Sequence, residues 1–362
     1  MIKKIFILTV PTISLTFILL ELIFHFLIAS SELPSVVYDK DYRLIKYKEN
    51  QTGIYSIGKF PLKGYEWKIN NEGWNNKNDY FEEKNKFRVA VIGDSYIEAF
   101  QVNVDEHYPS LVQSSLPELE IYSFGISGAP LSTYYQIAKY VSQKFNPDLF
   151  IINVVNNDYD ESLYILRKRD VFTTLQNEES PKFITPSGLN QKWLTNLLNM
   201  SSTFRYFYHN LQLFHKIKSI IFEKTILKNH DIIKNNLRDK VKESMAVIVD
   251  SIYNISSKKI LFVIDADRHE IYHNYALIEN LEVNFYRKDF LDVLDKKSIE
   301  YIDLNDTFKD DYIKHSKQFN SNLDYHWDSY GHSIVAKEII SNLKNKLNYE
   351  RTSKTQLMIG NR

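Results

Sequence analysis

Five short apolar runs that alternate with helical patterns constrain the fold of this chain more than any other feature. Each run is rich in β-branched or aromatic residues, as buried strands are. The runs cover residues 87–93, 119–125, 147–155, 258–265 and 299–304. Helical spacing of apolar residues is found over 104–116, 132–145, 285–298 and 333–347. Because strands that alternate with helices pair in parallel, the sequence predicts an α/β fold with a parallel sheet.

The first 30 residues predict an N-terminal transmembrane helix. Lys3 and Lys4 precede an apolar stretch of roughly two dozen residues, which is long enough to cross a bilayer. Glu32 and Asp39 follow it, and this charge bias predicts a cytoplasmic N-terminus and an extracytoplasmic remainder, periplasmic or at the cell surface. A cleaved signal peptide is the alternative, with LIASS at 27–31 as a small-residue site. The apolar run is long for a signal peptide, so an uncleaved anchor is preferred.

Two segments flank the predicted α/β domain, which covers residues 86–347. Residues 31–85 are polar and irregular, with scattered Gly, Asn and Tyr. They are interpreted as a linker and an N-terminal extension packed on the main domain. Residues 348–362 form a polar tail, which is expected to be disordered.

One region inside the domain interrupts the alternation of strands and helices. Residues 158–256 contain two long, mostly helical patterns, at 192–225 and 231–256, and are predicted to form a helical insertion. The first pattern is rich in aromatic residues, which is typical of a helix that packs on a core. A lid, or a surface that faces substrate or membrane, is the alternative.

Charge and cysteine content exclude several classes of function. The chain has 45 Lys and Arg against 45 Asp and Glu, so its formal net charge is zero. Nucleic-acid binding normally requires a basic face, so no nucleic-acid partner is expected. The lack of cysteine excludes disulfides, thiolate metal sites and a cysteine nucleophile. The sequence shows no Gly-rich phosphate loop and no cluster of metal ligands, so no cofactor and no metal are expected.

Polar residues lie where the predicted strands end. Ser95 follows the first strand, Gly128 the second and Asn157 the third, while Asp324 and His326 precede the last helix. The working site of a parallel sheet lies outside the carboxyl ends of its strands, so these residues are expected to meet. Serine chemistry needs a hydroxyl, a base, a carboxylate that orients the base, and donors aimed at the oxyanion. Each of these residues can instead serve only the turn in which it lies.

The order of these blocks resembles the SGNH, or GDSL-type, hydrolase superfamily over roughly residues 86–347. The matching blocks are Gly-Asp-Ser at 93–95, Gly-x-x-Gly at 125–128, Asn-Asp at 157–158 and Asp-x-His at 324–326. The resemblance implies a flavodoxin-like three-layer α/β/α fold and a serine esterase or acyl-transfer activity.

By motif position, the resemblance implies that Ser95 is the nucleophile, Asp324 the catalytic acid and His326 the base. It implies that Gly128 and Asn157 complete an oxyanion hole with the backbone N–H of Ser95. These parts suffice for the reaction, so no metal or organic cofactor is required.

The chain departs from the usual pattern at three positions. The family usually has Asp-x-x-His, whereas here position 323 is Leu and the acid lies two residues before the histidine. Asp-x-His occurs in polysaccharide-modifying relatives, so it is interpreted as a variant. Asn156 stands where the block before Asn157 usually carries Gly, and Ser123 where the second block often has Asn.

Two nearby sets of residues compete for roles in the site. His332, with Asp328 as its partner, is an alternative base, but the order of the family's motifs favours His326. Asp265, Asp267 and Arg268 follow the fourth predicted strand. Substrate contact and a loop-stabilising ion pair are both open for these three residues.

The predicted function joins the span to this chemistry: a membrane-anchored, extracytoplasmic serine esterase. Its predicted substrates are O-acyl groups, in particular acetyl groups, of a cell-surface glycan, because the anchor places the site where such polymers lie. Three alternatives stay open: an O-acyltransferase on the same substrates, a lipase or lysophospholipase, and a non-catalytic scaffold that binds glycan.

Overall fold

The computed structural model describes residues 2–166, 171–176, 181–189, 199–213, 237–257, 259–273, 282–321 and 323–360. Its strands are β1 (Val36–Asp39), β2 (Leu44–Tyr47), β3 (Gln51–Tyr55), β4 (Tyr65–Ile69), β5 (Phe87–Gly93), β6 (Leu119–Gly125), β7 (Leu149–Val154), β8 (Thr174–Gln176), β9 (Lys182–Ile184), β10 (Ile260–Ile264) and β11 (Tyr301–Asp303). Its helices are α1 (Ile2–Phe26), α2 (Ser95–Glu98), α3 (Tyr108–Ser115), α4 (Leu131–Phe145), α5 (Asp158–Glu161), α6 (Ser202–Arg205), a π-helix (Tyr206–Asn210), α7 (Arg238–Ile255), α8 (Arg268–His273), α9 (Glu282–Lys296), α10 (Leu304–His315) and α11 (Ser329–Gly360).

One parallel sheet of five strands, in the order β11-β10-β7-β5-β6, forms the centre of the molecule. Its register places Val89 of β5 opposite Ile121 of β6 on one side and Leu149 of β7 on the other. Numbered by their order in the chain, these strands run 2-1-3-4-5, which is the flavodoxin-like doubly wound order. The order reverses between β5 and β7, so the carboxyl ends of these two strands mark the expected site.

Helices cover both faces of the sheet, because successive residues of each strand point to opposite sides. Ala90 and Ile92 of β5 pack in a core with α4, α7 and α9. Val89 and Val91 pack in a second core with α3, α10 and α11. This three-layer α/β/α arrangement confirms the predicted fold class.

The predicted helical insertion is shorter than residues 158–256. Its second pattern, 231–256, corresponds to α7, which packs between α4 and α9 with Met245, Ile248 and Ile252 buried. A parallel crossover from β7 to β10 requires a helix on the sheet, and α7 supplies it. Of the rest, the structure describes α5, the β8–β9 hairpin, α6 and the π-helix. Most of the aromatic pattern at 192–225 lies outside the described residues.

Residues 31–85 are more ordered than the predicted linker. They form two antiparallel hairpins, β1–β2 and β3–β4. Trp67 and Ile69 of β4, together with Trp74, are buried in the same core as Phe124 of the sheet. The extension is therefore part of the α/β domain's core, and its alternation in YEWKI at 65–69 is the signal of a half-buried strand.

The two ends of the chain are helical. The tail predicted to be disordered continues α11 as far as Gly360, so that prediction is wrong. At the N-terminus, α1 contains a 19-residue stretch, Leu8–Phe26, that is long and apolar enough to cross a membrane. Most of this stretch is exposed.

Candidate active site

Ser95 lies at the junction of β5 and α2. β5 ends at Gly93, and Asp94 caps α2 by accepting a backbone N–H of that helix at 3.0 Å. α2 packs so closely on the end of β6 that a Cβ added at Gly125 would lie 2.1 Å from a backbone nitrogen of the helix. Glycine at 125 is therefore required for this close approach. The junction delivers the serine to the carboxyl edge of the sheet, where the strand order reverses.

The structure brings together the three residues that the sequence predicts to be catalytic. His326 Nε2 lies 2.7 Å from Ser95 Oγ, and His326 Nδ1 is hydrogen-bonded to Asp324 Oδ1. The backbone N–H of His326 also donates to Asp324, at 3.0 Å. When Nδ1 carries the proton and donates to the carboxylate, Nε2 is the acceptor for the serine hydroxyl. This geometry meets the requirements of a nucleophile, a base and an orienting acid.

Mutual charge sets the ionisation of the acid and the base. Burial alone would raise the pKa of Asp324, but the hydrogen bonds and charge of His326 hold that pKa below its usual value. Burial alone would lower the pKa of His326, but the hydrogen bond and charge of Asp324 raise it above its usual value. The pair therefore favours an imidazolium that faces a carboxylate, which is the state a base reaches after it takes a proton.

The alternative base, His332, has a structural role. It is fully buried on α11, and its Nδ1 accepts the backbone N–H of Tyr108 at 3.2 Å, which joins α11 to the start of α3. Burial keeps the pKa of His332 well below the usual histidine value. Its proposed partner, Asp328, instead accepts the backbone N–H of Gly331 at 2.9 Å. This geometry favours His326 as the base.

The predicted oxyanion residues lie at the same edge of the sheet. Gly128 follows β6 with a φ of +74°, a conformation that glycine adopts readily. Asn157 follows β7 at the start of α5, where its exposed amide donates to Glu161 at 3.4 Å. The roles of both residues in an oxyanion hole stay predictions.

Glu98 is a buried carboxyl next to the site. It was not among the candidate residues predicted from the sequence. It ends α2, and its oxygens accept hydrogen bonds from the Tyr47 hydroxyl, the Ser127 hydroxyl and, at 2.9 Å, the Ser127 backbone N–H. Glu98 thus ties α2, the helix that begins at Ser95, to β2 and to the loop that carries Gly128. Burial raises the pKa of Glu98 to about 7. The available signal was a lone carboxylate in the apolar stretch YIEAF.

A buried ion pair braces the loop that carries His326. Arg268 donates to Asp265 at 3.1 Å and to the backbone carbonyl of Tyr325. Asp265 accepts the indole N–H of Trp327 at 3.0 Å. The pair thus holds the residues on both sides of the histidine, and the loop-stabilising interpretation of Asp265 and Arg268 is the one that these contacts favour. Asp267 caps the start of α8 by accepting the Glu270 backbone N–H at 3.1 Å.

A cavity of about 210 Å³ adjoins Asp324. The residues that line it include Asp324, Tyr325, Tyr272 and Asn320. Its lining mixes polar groups with aromatic rings, and the Tyr325 side chain is 71% exposed. Among the residues that the structure describes, no group of three His, Asp or Glu side chains is placed to hold a metal ion.

Comparison with known proteins finds similarity in structure but none in sequence. No protein-family profile and no curated protein matches the chain. Solved structures similar to it include the psychrotrophic esterase EstA from Pseudoalteromonas sp., at 10% identity and a TM-score of 0.39, covering 73% of this chain and 100% of EstA. The acetyl xylan esterase AlAXEase matches at 15% identity and a TM-score of 0.41, covering 70% of this chain and 98% of that enzyme.

A third similar structure is a member of the lipolytic G-D-S-L family from Veillonella parvula. It matches at 11% identity and a TM-score of 0.37, covering 70% of this chain and 96% of that protein. Two of these three similar structures are thus described as esterases and the third as a lipolytic protein of the G-D-S-L family. Because these TM-scores lie below 0.5, the geometry of the site, rather than the likeness, carries the assignment of function.

Proposed function

We propose that this protein is a serine esterase of the SGNH type. The observation that carries the proposal is the contact of 2.7 Å between Ser95 Oγ and His326 Nε2, with Asp324 on the other ring nitrogen. A serine that serves only a turn does not need a histidine oriented by a carboxylate. The site lies on the edge of the sheet where doubly wound folds bind their ligands.

The reaction proceeds in two steps at this site. His326 takes the proton of Ser95 as Oγ attacks the ester carbonyl, and the oxyanion is stabilised by the backbone N–H groups of Ser95 and Gly128 and by the Asn157 amide. His326 then gives its proton to the departing alcohol, which leaves an acyl-enzyme. Water attacks that ester with His326 again as base, and the carboxylic acid and free Ser95 are released.

The proposed substrates are small O-acyl groups, such as acetyl, on a glycan. The cavity beside Asp324 supports this choice, because its lining combines hydrogen-bonding groups with aromatic rings and so suits a polar ligand better than an acyl chain. An acceptor sugar in place of water in the second step would make the protein an acyltransferase, and the rate of acetyl transfer to an added oligosaccharide separates these outcomes.

The proposed location is the outer surface of a membrane, with α1 as an uncleaved anchor. Its apolar stretch supports a span, and its C-terminal end supports retention. Phe24 is buried against Tyr206, with ring centroids 4.3 Å apart. Cleavage within 27–31 would remove this contact from the folded domain.

Acetate release by the full-length protein in nanodiscs tests the proposed reaction. We expect hydrolysis of an aryl acetate and of an acetylated oligosaccharide, and a loss of at least about 10⁴-fold in Ser95→Ala. Ser114→Ala is the matched control, because Ser114 is an exposed residue whose hydroxyl donates to a backbone carbonyl of its own helix, at 2.9 Å. Transfer of acetyl to an added oligosaccharide, faster than its release, would identify a transferase. Equal rates for wild type and Ser95→Ala on every ester would refute the proposal.

A further inference from the structure

The carboxylate inside the apolar stretch of α1 is bound by a segment 180 residues further along the chain. Glu21 accepts hydrogen bonds from Ser201 Oγ at 2.7 Å and from the backbone amides of Ser202 and Thr203 at 2.6 and 3.0 Å. A carboxylate on a membrane span is costly unless the protein itself supplies its partners. These three donors supply them, so Glu21 is compatible with a position inside a bilayer.

The start of α6 satisfies its own backbone without water. The amides of residues 202–203 donate to Glu21, that of Phe204 donates to Ser201 Oγ at 3.3 Å, and that of Arg205 donates to the Ser201 carbonyl at 2.9 Å. The hydrocarbon core offers no hydrogen-bond partner, so backbone that enters it must be satisfied within the protein. α6 meets that requirement at the end where a helix normally leaves four amides open.

Aromatic contacts place α6 and the π-helix along the side of α1. Phe24 stacks on Tyr206, and the rings of Phe17 and Phe204 have centroids 5.9 Å apart. Phe17 lies nine residues before Phe26, which is about 13 Å along a helix axis. A bilayer leaflet contributes about 15 Å of hydrocarbon. When α1 spans a membrane, Phe204 therefore lies at a depth within one leaflet.

Five apolar side chains around this contact are exposed, and we call them the collar. Met200 precedes α6, Phe204 lies on α6 and Tyr208 lies on the π-helix, whereas Phe60 and Leu62 come from the loop after β3. Met200 is 79% and Phe204 is 41% exposed. Exposed apolar patches of this kind mark interaction surfaces.

We propose that the collar is embedded in the outer leaflet of the membrane that α1 crosses. Continuity with the span identifies lipid as the occupant, because Phe204 of the collar packs on Phe17 in the apolar stretch of α1. The charged group of the same segment turns away from lipid: Arg205 reaches Ser30 Oγ at 3.3 Å and the Glu32 carboxylate at 3.4 Å, just beyond the end of α1. The domain is therefore held on the bilayer by two surfaces, which fixes its orientation. This inference rests on the proposed span and not on the proposed esterase chemistry.

Spin labels on the full-length protein test this proposal, and the lack of native cysteine makes every label site-specific. Single variants Phe204→Cys and Met200→Cys carry nitroxides on the collar. Leu15→Cys marks the span, and Ile313→Cys marks a distant surface; the native side chains at these two positions are equally exposed, at 69% and 70%. Collision rates with oxygen, which partitions into lipid, and with a water-soluble nickel chelate are measured in nanodiscs of phosphatidylcholine and phosphatidylglycerol.

We expect the ratio of oxygen to nickel collisions at both collar positions to be severalfold higher than at Ile313→Cys and to approach that at Leu15→Cys. A lipid-like ratio at Leu15→Cys with a water-like ratio at both collar positions would overturn the collar proposal alone. A water-like ratio at Leu15→Cys would overturn the span and the collar together. Collar labels shielded from both reagents would show that a protein surface covers the collar, which also overturns the proposal. Ester hydrolysis measured on the same samples reports separately on the proposed function.

Discussion

Two histidines six residues apart, His326 and His332, occupy opposite environments. His326 faces a carboxylate and a serine hydroxyl at the sheet edge, and its pKa is raised by Asp324. His332 lies in the core, where it accepts a backbone N–H from Tyr108, and burial lowers its pKa. The comparison teaches that a charged partner, rather than position near a helix start, decides whether the pKa of a histidine in this fold is raised or lowered.

The largest expected effect comes from removing the base. We expect His326→Gln to lower kcat/KM by about 10⁴-fold or more, because the serine then has no group to take its proton. The measurement is initial rates on an aryl acetate, normalised to the folded fraction. A loss of less than tenfold would contradict the claim that His326, and not His332, is the base.

Removing the orienting acid is expected to have the next largest effect. Asp324→Asn should lower kcat by about 10² to 10⁴-fold, because the ring loses its orientation and the imidazolium loses its charge partner. Activity needs neutral His326, so it rises with pH through the pKa of that group. The variant lowers this pKa, and the acid limb of the rate profile should move to lower pH. An acid limb at the wild-type pH would show that Asp324 does not set the pKa of His326.

Glu98 tests whether the buried carboxyl positions the site without touching substrate. Glu98→Ala should lower kcat by about 10- to 100-fold, with a smaller change in KM, because the loop from Ser127 to Gly128 loses its tie to α2. Glu98→Gln keeps the size and an acceptor oxygen and should restore most of the rate. Equal losses in the two variants would contradict a positioning role.

The stability of the protein should also depend on Glu98. Burial raises the pKa of Glu98 from 4.5 to about 7, so the folded state binds its proton more tightly than the unfolded state. The stabilising contribution is full below the unfolded value and is lost as pH rises to the folded one. The free energy of unfolding should fall over this window by up to about 3 kcal/mol, and by less in Glu98→Gln. Denaturant unfolding at several pH values, with one detergent used throughout, measures this slope. Identical slopes for wild type and Glu98→Gln would contradict the assignment of the pH dependence to Glu98.

The smallest expected effect on activity comes from His332→Leu. The backbone N–H of Tyr108 loses its acceptor, which should lower the free energy of unfolding by about 1 to 3 kcal/mol. The rate per folded molecule and the acid limb of its pH profile should stay at wild-type values. A shifted acid limb in this variant would show that the limb reports the titration of His332 and not that of His326.

Buried strands and the order of polar blocks could be predicted from the sequence. The runs at 87–93 and 119–125 match β5 and β6 residue for residue, because strands buried on both faces are continuous apolar runs. Ser95 was singled out by its place at a strand end, and Asp324 and His326 by the order of the motifs before the last helix; the structure brings these three side chains together. The hairpins of 31–85 were missed, because their strands are only four or five residues long, which is too short for a clear periodic pattern.

What could not be predicted depends on contacts between distant parts of the chain. Glu98 acquires its role from Tyr47 and Ser127, and neither its neighbours in sequence nor its helix indicates those partners. Glu21 reads as an interruption of an apolar stretch until Ser201 is placed beside it. The position of α7 on the sheet, rather than in an insertion, likewise follows from packing against α4 and α9.

Covalent labelling by a fluorophosphonate tests the central claim most directly, because it needs no knowledge of the substrate. Peptide mapping of the labelled full-length protein should place one adduct on Ser95. The adduct should form at the wild-type rate in His332→Leu and should be lost in Ser95→Ala and His326→Gln. Labelling of another serine, or labelling of Ser95 at an unchanged rate in His326→Gln, would contradict the account.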